Sequence, residues 1–145
     1  MTTTTFEFDV EPTAPDRALN LAVLLDGQGC WQQDKITQPC HVVIDLDDSV
    51  DAEHSLQFMI SGKTPEHTEV DSVGNIVSDS MLRLSNIHID GINITDFIHT
   101  LATYTHDFNG SGTQITDKMY TDLGCNGVAE LKFSTPLYLW LLENI

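Results

Sequence analysis

The amino-acid sequence predicts a mostly β chain, a jelly-roll-like β-sandwich with one or two short helices. Three observations carry this expectation. Apolar and polar residues alternate through much of the first two-thirds of the chain, the period of a strand with one buried face. Asp-Gly pairs follow apolar runs at Asp26-Gly27 and Asp90-Gly91, and that dipeptide favours tight turns. Seven or eight short strands against at most two short helices is the inventory of two packed sheets. With 145 residues, the expectation is one domain over residues 1–145, since single cores commonly span about 100–200 residues.

The elements follow in order. Phe6, Phe8 and Val10 alternate with Glu7 and Asp9 as an opening strand, which Pro12 and Pro15 interrupt. Leu19, Leu21, Val23 and Leu25 lead into Asp26-Gly27, and Gln28 to Gln32 return as the other hairpin arm. His41 to Leu46 is a β-branched strand running into the acidic stretch Asp45-Leu46-Asp47-Asp48. Ser55 to Ser61 sets Leu56, Phe58 and Ile60 on one face and Gln57, Met59 and Ser61 on the other. Gly62 to Asp79 is polar, holds Pro65 and Gly74, and reads as a long loop of the kind that carries function. Met81 to Ile89 resumes as a strand. Thr95 or Asp96 can cap a short helix through Tyr104, with Phe97, Ile98 and Leu101 on one side. Gln114 to Leu123 reads as a helical turn stopped by Gly124, Val128 to Phe133 as a strand, and Leu137 to Leu142 as an apolar closing strand with Trp140 in the core.

Composition removes several function classes. Six Lys and Arg against 22 Asp and Glu give a net charge of −16. Such a field repels phosphate backbones and anionic bilayers, so neither nucleic acid nor membrane is an expected partner. An apolar fraction of 41% is enough for a core. Met1 to Phe6 lacks the basic and apolar regions of a signal peptide, and the longest apolar runs are too short to span a bilayer, so a soluble chain is expected. Cys30, Cys40 and Cys125 show no metal-binding spacing. They read as reduced thiols, with a Cys30–Cys40 bridge as the alternative.

No catalytic constellation stands out, and the chain is not expected to be an enzyme. Ser61-Gly62-Lys63-Thr64 lacks the upstream glycine of a phosphate-binding loop, because Gln57 occupies that position. The six histidines show no zinc-protease spacing, and no Gly-x-Ser-x-Gly elbow is present. The carboxylates carry more information. Asp45, Asp47, Asp48, Asp51 and Glu53 form one cluster, and Glu66, Glu69, Asp71 and Asp79 bracket the long loop. Crowded carboxylates need water, a proton or a cation between them. Calcium, with six to eight oxygen ligands in flexible geometry, suits the loop cluster, and a solvated acidic surface is the alternative for both.

The order Leu24-Leu25-Asp26-Gly27, His54-Ser55-Leu56-Gln57-Phe58, Asp79-Ser80-Met81-Leu82 and Ile87-His88-Ile89-Asp90-Gly91 resembles the small calcium-dependent xylan-binding carbohydrate-binding modules over roughly residues 21–94. Two departures stand out: Gly62-Lys63 replaces that family's Asn-Asp pair, and Ser80-Met81 replaces its Arg-Asn. The resemblance implies a non-catalytic module that binds a polysaccharide or other glycan, with Asp79 as the matched calcium ligand. Glu66, Glu69 and Asp71 are candidates from local chemistry. Sugar rings need aromatic faces; Trp31, among Gln32, Gln33 and Asp34, and Tyr104 are the candidate ligand-binding aromatics. The segment after Thr95 looks like the closing part of uncharacterised marine phage proteins. The alternative function is therefore a phage structural or assembly protein, with a place in the virion and homo-oligomer contacts through Leu137 to Ile145.

Overall fold

The computed structural model describes residues 3–110 and 112–144. The side chain of Phe97, together with Met1, Thr2, Ser111 and Ile145, lies outside the described residues. The strands, in chain order, are β1 (Thr3–Pro12), β2 (Leu19–Leu25), β3 (Gln28–Ile36), β4 (Cys40–Asp47), β5 (Ala52–Ser61), β6 (Thr68–Val70), β7 (Ile76–Asp79), β8 (Leu82–Ile89), β9 (Ile92–Asn93), β10 (Thr103–His106), β11 (Ile115–Lys118), β12 (Asp122–Leu123) and β13 (Gly127–Thr135). Helices α1 (Thr95–Leu101) and α2 (Leu137–Asn144) complete the described elements, with a 3-10 turn at Pro65–His67.

Two antiparallel sheets make the predicted β-sandwich. One runs β12-β8-β1-β4, with β9 folded onto β8; the other runs β11-β10-β13-β5-β2-β3. Strands β6 and β7 form a separate hairpin. Phe6, Phe8 and Val10 point inward from the first sheet, and Leu21, Val23, Leu56, Phe58 and Ile60 from the second. Phe8 and Phe58 meet edge to face across the core, ring centroids 5.3 Å apart at 84°. Strand β8 keeps both Leu84 and Ile87 inside despite their odd spacing, because Asn86 adopts φ 50° in a bulge opposite Glu7 and Asp9. Both Asp-Gly pairs form turns with positive φ at each residue: Asp26 52° and Gly27 82°, Asp90 48° and Gly91 80°. Shared turn chemistry therefore explains their likeness.

Three expectations change. Helix α1 ends at Leu101 and leaves Tyr104 to β10, and it has no side-chain cap; the Thr95 hydroxyl accepts the Ile87 N–H at 2.9 Å instead. The stretch 114–123 holds two short strands and no helix, because β11 satisfies its backbone along β10 and β12 along β8. The last apolar run is the helix α2, not a strand. Its Leu137, Trp140 and Leu141, at i, i+3 and i+4, close the end of the sandwich. Asp48, from the other side of the chain, accepts the Leu137 N–H at 2.7 Å. Trp140 is buried as expected. All three cysteines are free, so Cys30 and Cys40 are not bridged. No described helix is long and apolar enough to cross a membrane.

Candidate functional site

The segment Gly62 to Asp79 is a turn and a hairpin rather than an open loop, and it does not gather its acids. Asp79 Oδ1 receives the Lys63 ammonium at 2.5 Å and the Thr68 hydroxyl at 2.7 Å. Glu69 pairs with Arg17 at 2.9 Å, and Glu66 accepts the Thr64 hydroxyl at 2.8 Å. Asp71 turns onto the backbone N–H groups of Asn75 and Val73, which hold its carboxyl below the usual range. Among the described residues, no group of three or more His, Cys, Asp and Glu could hold a metal ion. The four expected calcium ligands thus each face their own partner, and the cation beside Asp79 is a lysine. The residues present do not fit a calcium site.

The two aromatic candidates separate. Tyr104 is 3% exposed, and its hydroxyl donates to the Cys125 carbonyl and accepts the Cys125 N–H at 3.0 Å. Burial pushes its phenol pKa well up. It is a core residue tying β10 to the turn before β13, and no ligand reaches it; sequence reasoning had no means of seeing the inward register that β10 imposes. Trp31 lies half-buried on the edge strand β3, packed against the core. Its remaining surface borders a hollow of about 400 Å³ with Ala22, Leu24, Gly29, Gln32 and Met59.

A larger cleft, about 470 Å³, lies where the β2–β3 hairpin turns away from β5. Asp26, Glu53, His54, Ser55, Lys132, Phe133, Ser134 and Trp140 line it. His54 stacks on Phe133 at 5.3 Å and donates from Nδ1 to Asp26 Oδ2 at 2.7 Å. That bond, with the Ser55 N–H behind it, lowers the Asp26 pKa. On the other side His54 Nε2 is 3.1 Å from the Thr135 hydroxyl. An acid, an imidazole and a hydroxyl in a row invite comparison with a hydrolytic triad. Here, however, Thr135 donates its proton to the Val50 carbonyl at 2.5 Å and is 5% exposed. A hydroxyl that is buried and bonded to the backbone cannot reach a substrate as a nucleophile, so the row braces the hairpin against β13. These residues escaped sequence reasoning, although the Asp26-Gly27 turn and His54 each stood out singly.

Both hollows open beside the outer face of the six-stranded sheet. Its outward rows follow from the register. Thr105, Val128, Met59, Ala22 and Gln32 form one row, and Thr103, Glu130, Gln57, Leu24 and Gly29 the next. Glu130 accepts from Ser55 at 2.7 Å and Gln57 at 3.1 Å and lies 3.8 Å from Lys132. By the same register Lys118 and Glu53 also face outward, so this face mixes polar and apolar side chains and its charges balance. The outer face of the other sheet carries Glu7, Asp9 and Glu11 on β1 and Asp45 and Asp47 on β4. There His41 lies between Asp9 Oδ1 (2.6 Å) and Glu7 Oε2 (3.1 Å), which raises its pKa, and Asp9, bonded chiefly by Asn86 and then by His41, is lowered.

No family model matches the chain, and no curated protein matches it. Among solved structures, it is similar to one described as "vCBM60 in complex with galactobiose", with a TM-score of 0.48 and 11% identity over 88% of this chain and 96% of that one.

Proposed function

We propose that this chain is a non-catalytic carbohydrate-binding module that holds a neutral glycan on the outer face of its six-stranded sheet. The observation that carries the reading is the contrast between faces. In a chain of net charge −16, this surface offers hydroxyls, amides and the apolar Met59, Val128, Ala22 and Leu24, and its acids Glu53 and Glu130 are matched by Lys118 and Lys132. Two hollows, one bordered by Trp31 and one by Trp140, open beside it. Sugars ask for that mixture: apolar patches for ring faces and neutral donors and acceptors for hydroxyls. A sulfated or uronate polymer would meet long-range repulsion from the rest of the chain. The sequence resemblance described above points the same way; its calcium dependence is not part of the proposal, because the loop acids do not converge.

The test is an array of neutral and acidic glycans, followed by calorimetry on any neutral hit. Expected are binding to a neutral polysaccharide, at least a tenfold loss in Gln57→Lys, and no change in Glu7→Gln on the opposite face. No binding to any neutral glycan refutes the proposal.

A second reading, a phage structural or assembly protein, draws support from helix α2. Its Tyr138 and Leu142 are 62% and 70% exposed, an apolar strip that a second copy could cover. Light scattering separates the two: a large stable oligomer without glycan affinity favours assembly.

A further inference from the structure

On this acidic chain Lys63 is a buried cation. It follows Gly62, whose φ of 87° turns the chain sharply off the end of β5. Its side chain is 2% exposed, unusual for a residue that normally keeps its ammonium in water. The ammonium donates to Asp79 Oδ1 and to the Ser80 carbonyl, both at 2.5 Å. Its main chain is gripped from the other side, where Asn126 accepts the Lys63 N–H at 2.8 Å and donates to the Lys63 carbonyl at 3.0 Å. Three segments remote in sequence thus converge on one residue: the end of β5, the β6–β7 hairpin and the turn before β13.

We infer that the Lys63 ammonium is a built-in replacement for a metal ion, holding the β6–β7 hairpin to the sandwich. A carboxylate oxygen and a backbone carbonyl are the ligands a hard cation takes, and here Nζ occupies the position between them. The charges balance as one ammonium against one carboxylate, whereas a divalent ion would leave an excess positive charge. The remaining acids of the segment are already engaged with Arg17, Thr64 and backbone N–H groups. The hairpin is consequently fastened without metal, and the calcium expected from sequence has no role in it. This inference is independent of whether the sheet face binds sugar.

Truncating Lys63 to alanine removes the equivalent of propylammonium and leaves Asp79 and the Ser80 carbonyl facing a void. The experiment is thermal unfolding of the full chain, followed by circular dichroism, with EDTA, with calcium, and with propylammonium or propanol at equal concentration. Wild type is expected to melt at the same temperature with EDTA and with calcium. Lys63→Ala is expected to melt about 10 °C lower, the scale of a buried pair broken on one side. Propylammonium should recover part of that loss, increasing with concentration, whereas propanol should not. If Lys63→Ala does not fold, the same comparison is read as recovered folded signal on refolding in each additive. A wild-type midpoint that falls with EDTA or rises with calcium overturns the inference. So does a Lys63→Ala chain that gains no more from propylammonium than from propanol.

Discussion

Phe8 and Phe58 belong to opposite sheets, and their contact is a direct measure of how the sandwich is closed. The rings meet edge to face at 5.3 Å and 84°. Each also touches Phe6, at 6.0 Å for Phe8 and 6.2 Å for Phe58. Replacing either by leucine keeps most of the apolar volume and removes two aromatic contacts. At about 0.5–1.5 kcal/mol per aromatic pair beyond burial, each single substitution should cost about 1–3 kcal/mol. The double substitution loses the shared contact only once, so the two effects should fall short of additivity by about 1 kcal/mol. Urea unfolding of the wild type, Phe8→Leu, Phe58→Leu and the double variant supplies the cycle. With a slope of about 2 kcal/mol/M, each single change moves the midpoint by about 0.5–1.5 M. Coupling below about 0.3 kcal/mol, the usual scatter of independent sites, would refute the edge-to-face contact between the sheets.

Two further predictions follow from the polar groups. Tyr104→Phe leaves the Cys125 N–H without its hydroxyl acceptor and the Cys125 carbonyl without its donor, and should cost about 1–3 kcal/mol in the same urea assay; a change within 0.3 kcal/mol would mean the hydroxyl does not hold that turn. His41, whose folded pKa is raised by Asp9 and then Glu7, contributes stability that is fully present below its ordinary value of 6.5 and is lost as pH rises through the higher folded value. A proton NMR titration should place His41 above 6.5, and Asp9→Asn should bring it down. A wild-type midpoint at or below 6.5 contradicts the bridging geometry.

Much of this fold is written along the chain itself. The alternation in Phe6-Glu7-Phe8-Asp9-Val10 and in Leu56-Gln57-Phe58-Met59-Ile60 fixes which side chains enter the core, because a strand presents successive residues to opposite faces. Asp26-Gly27 and Asp90-Gly91 fix two hairpins, because few dipeptides accept positive φ twice. Net charge and the missing catalytic motifs also need only the sequence.

Partnership was decided by the tertiary structure. Asp79 reads as a metal ligand and Lys63 as a departure from a family pattern until the hairpin folds back and brings ammonium to carboxylate at 2.5 Å. His54 finds Asp26 through one strand pairing and Thr135 through another. Tyr104 is withdrawn from any ligand because β10 joins β13 in an inward register. The last run became a helix because i, i+3, i+4 spacing lets Leu137, Trp140 and Leu141 fill the open end of the sandwich, a vacancy that exists only once both sheets are in place. Local pattern specifies the face a side chain turns to. The charge or hydroxyl it meets there depends on which distant strand lies alongside, and spacing within a strand carries no information about that.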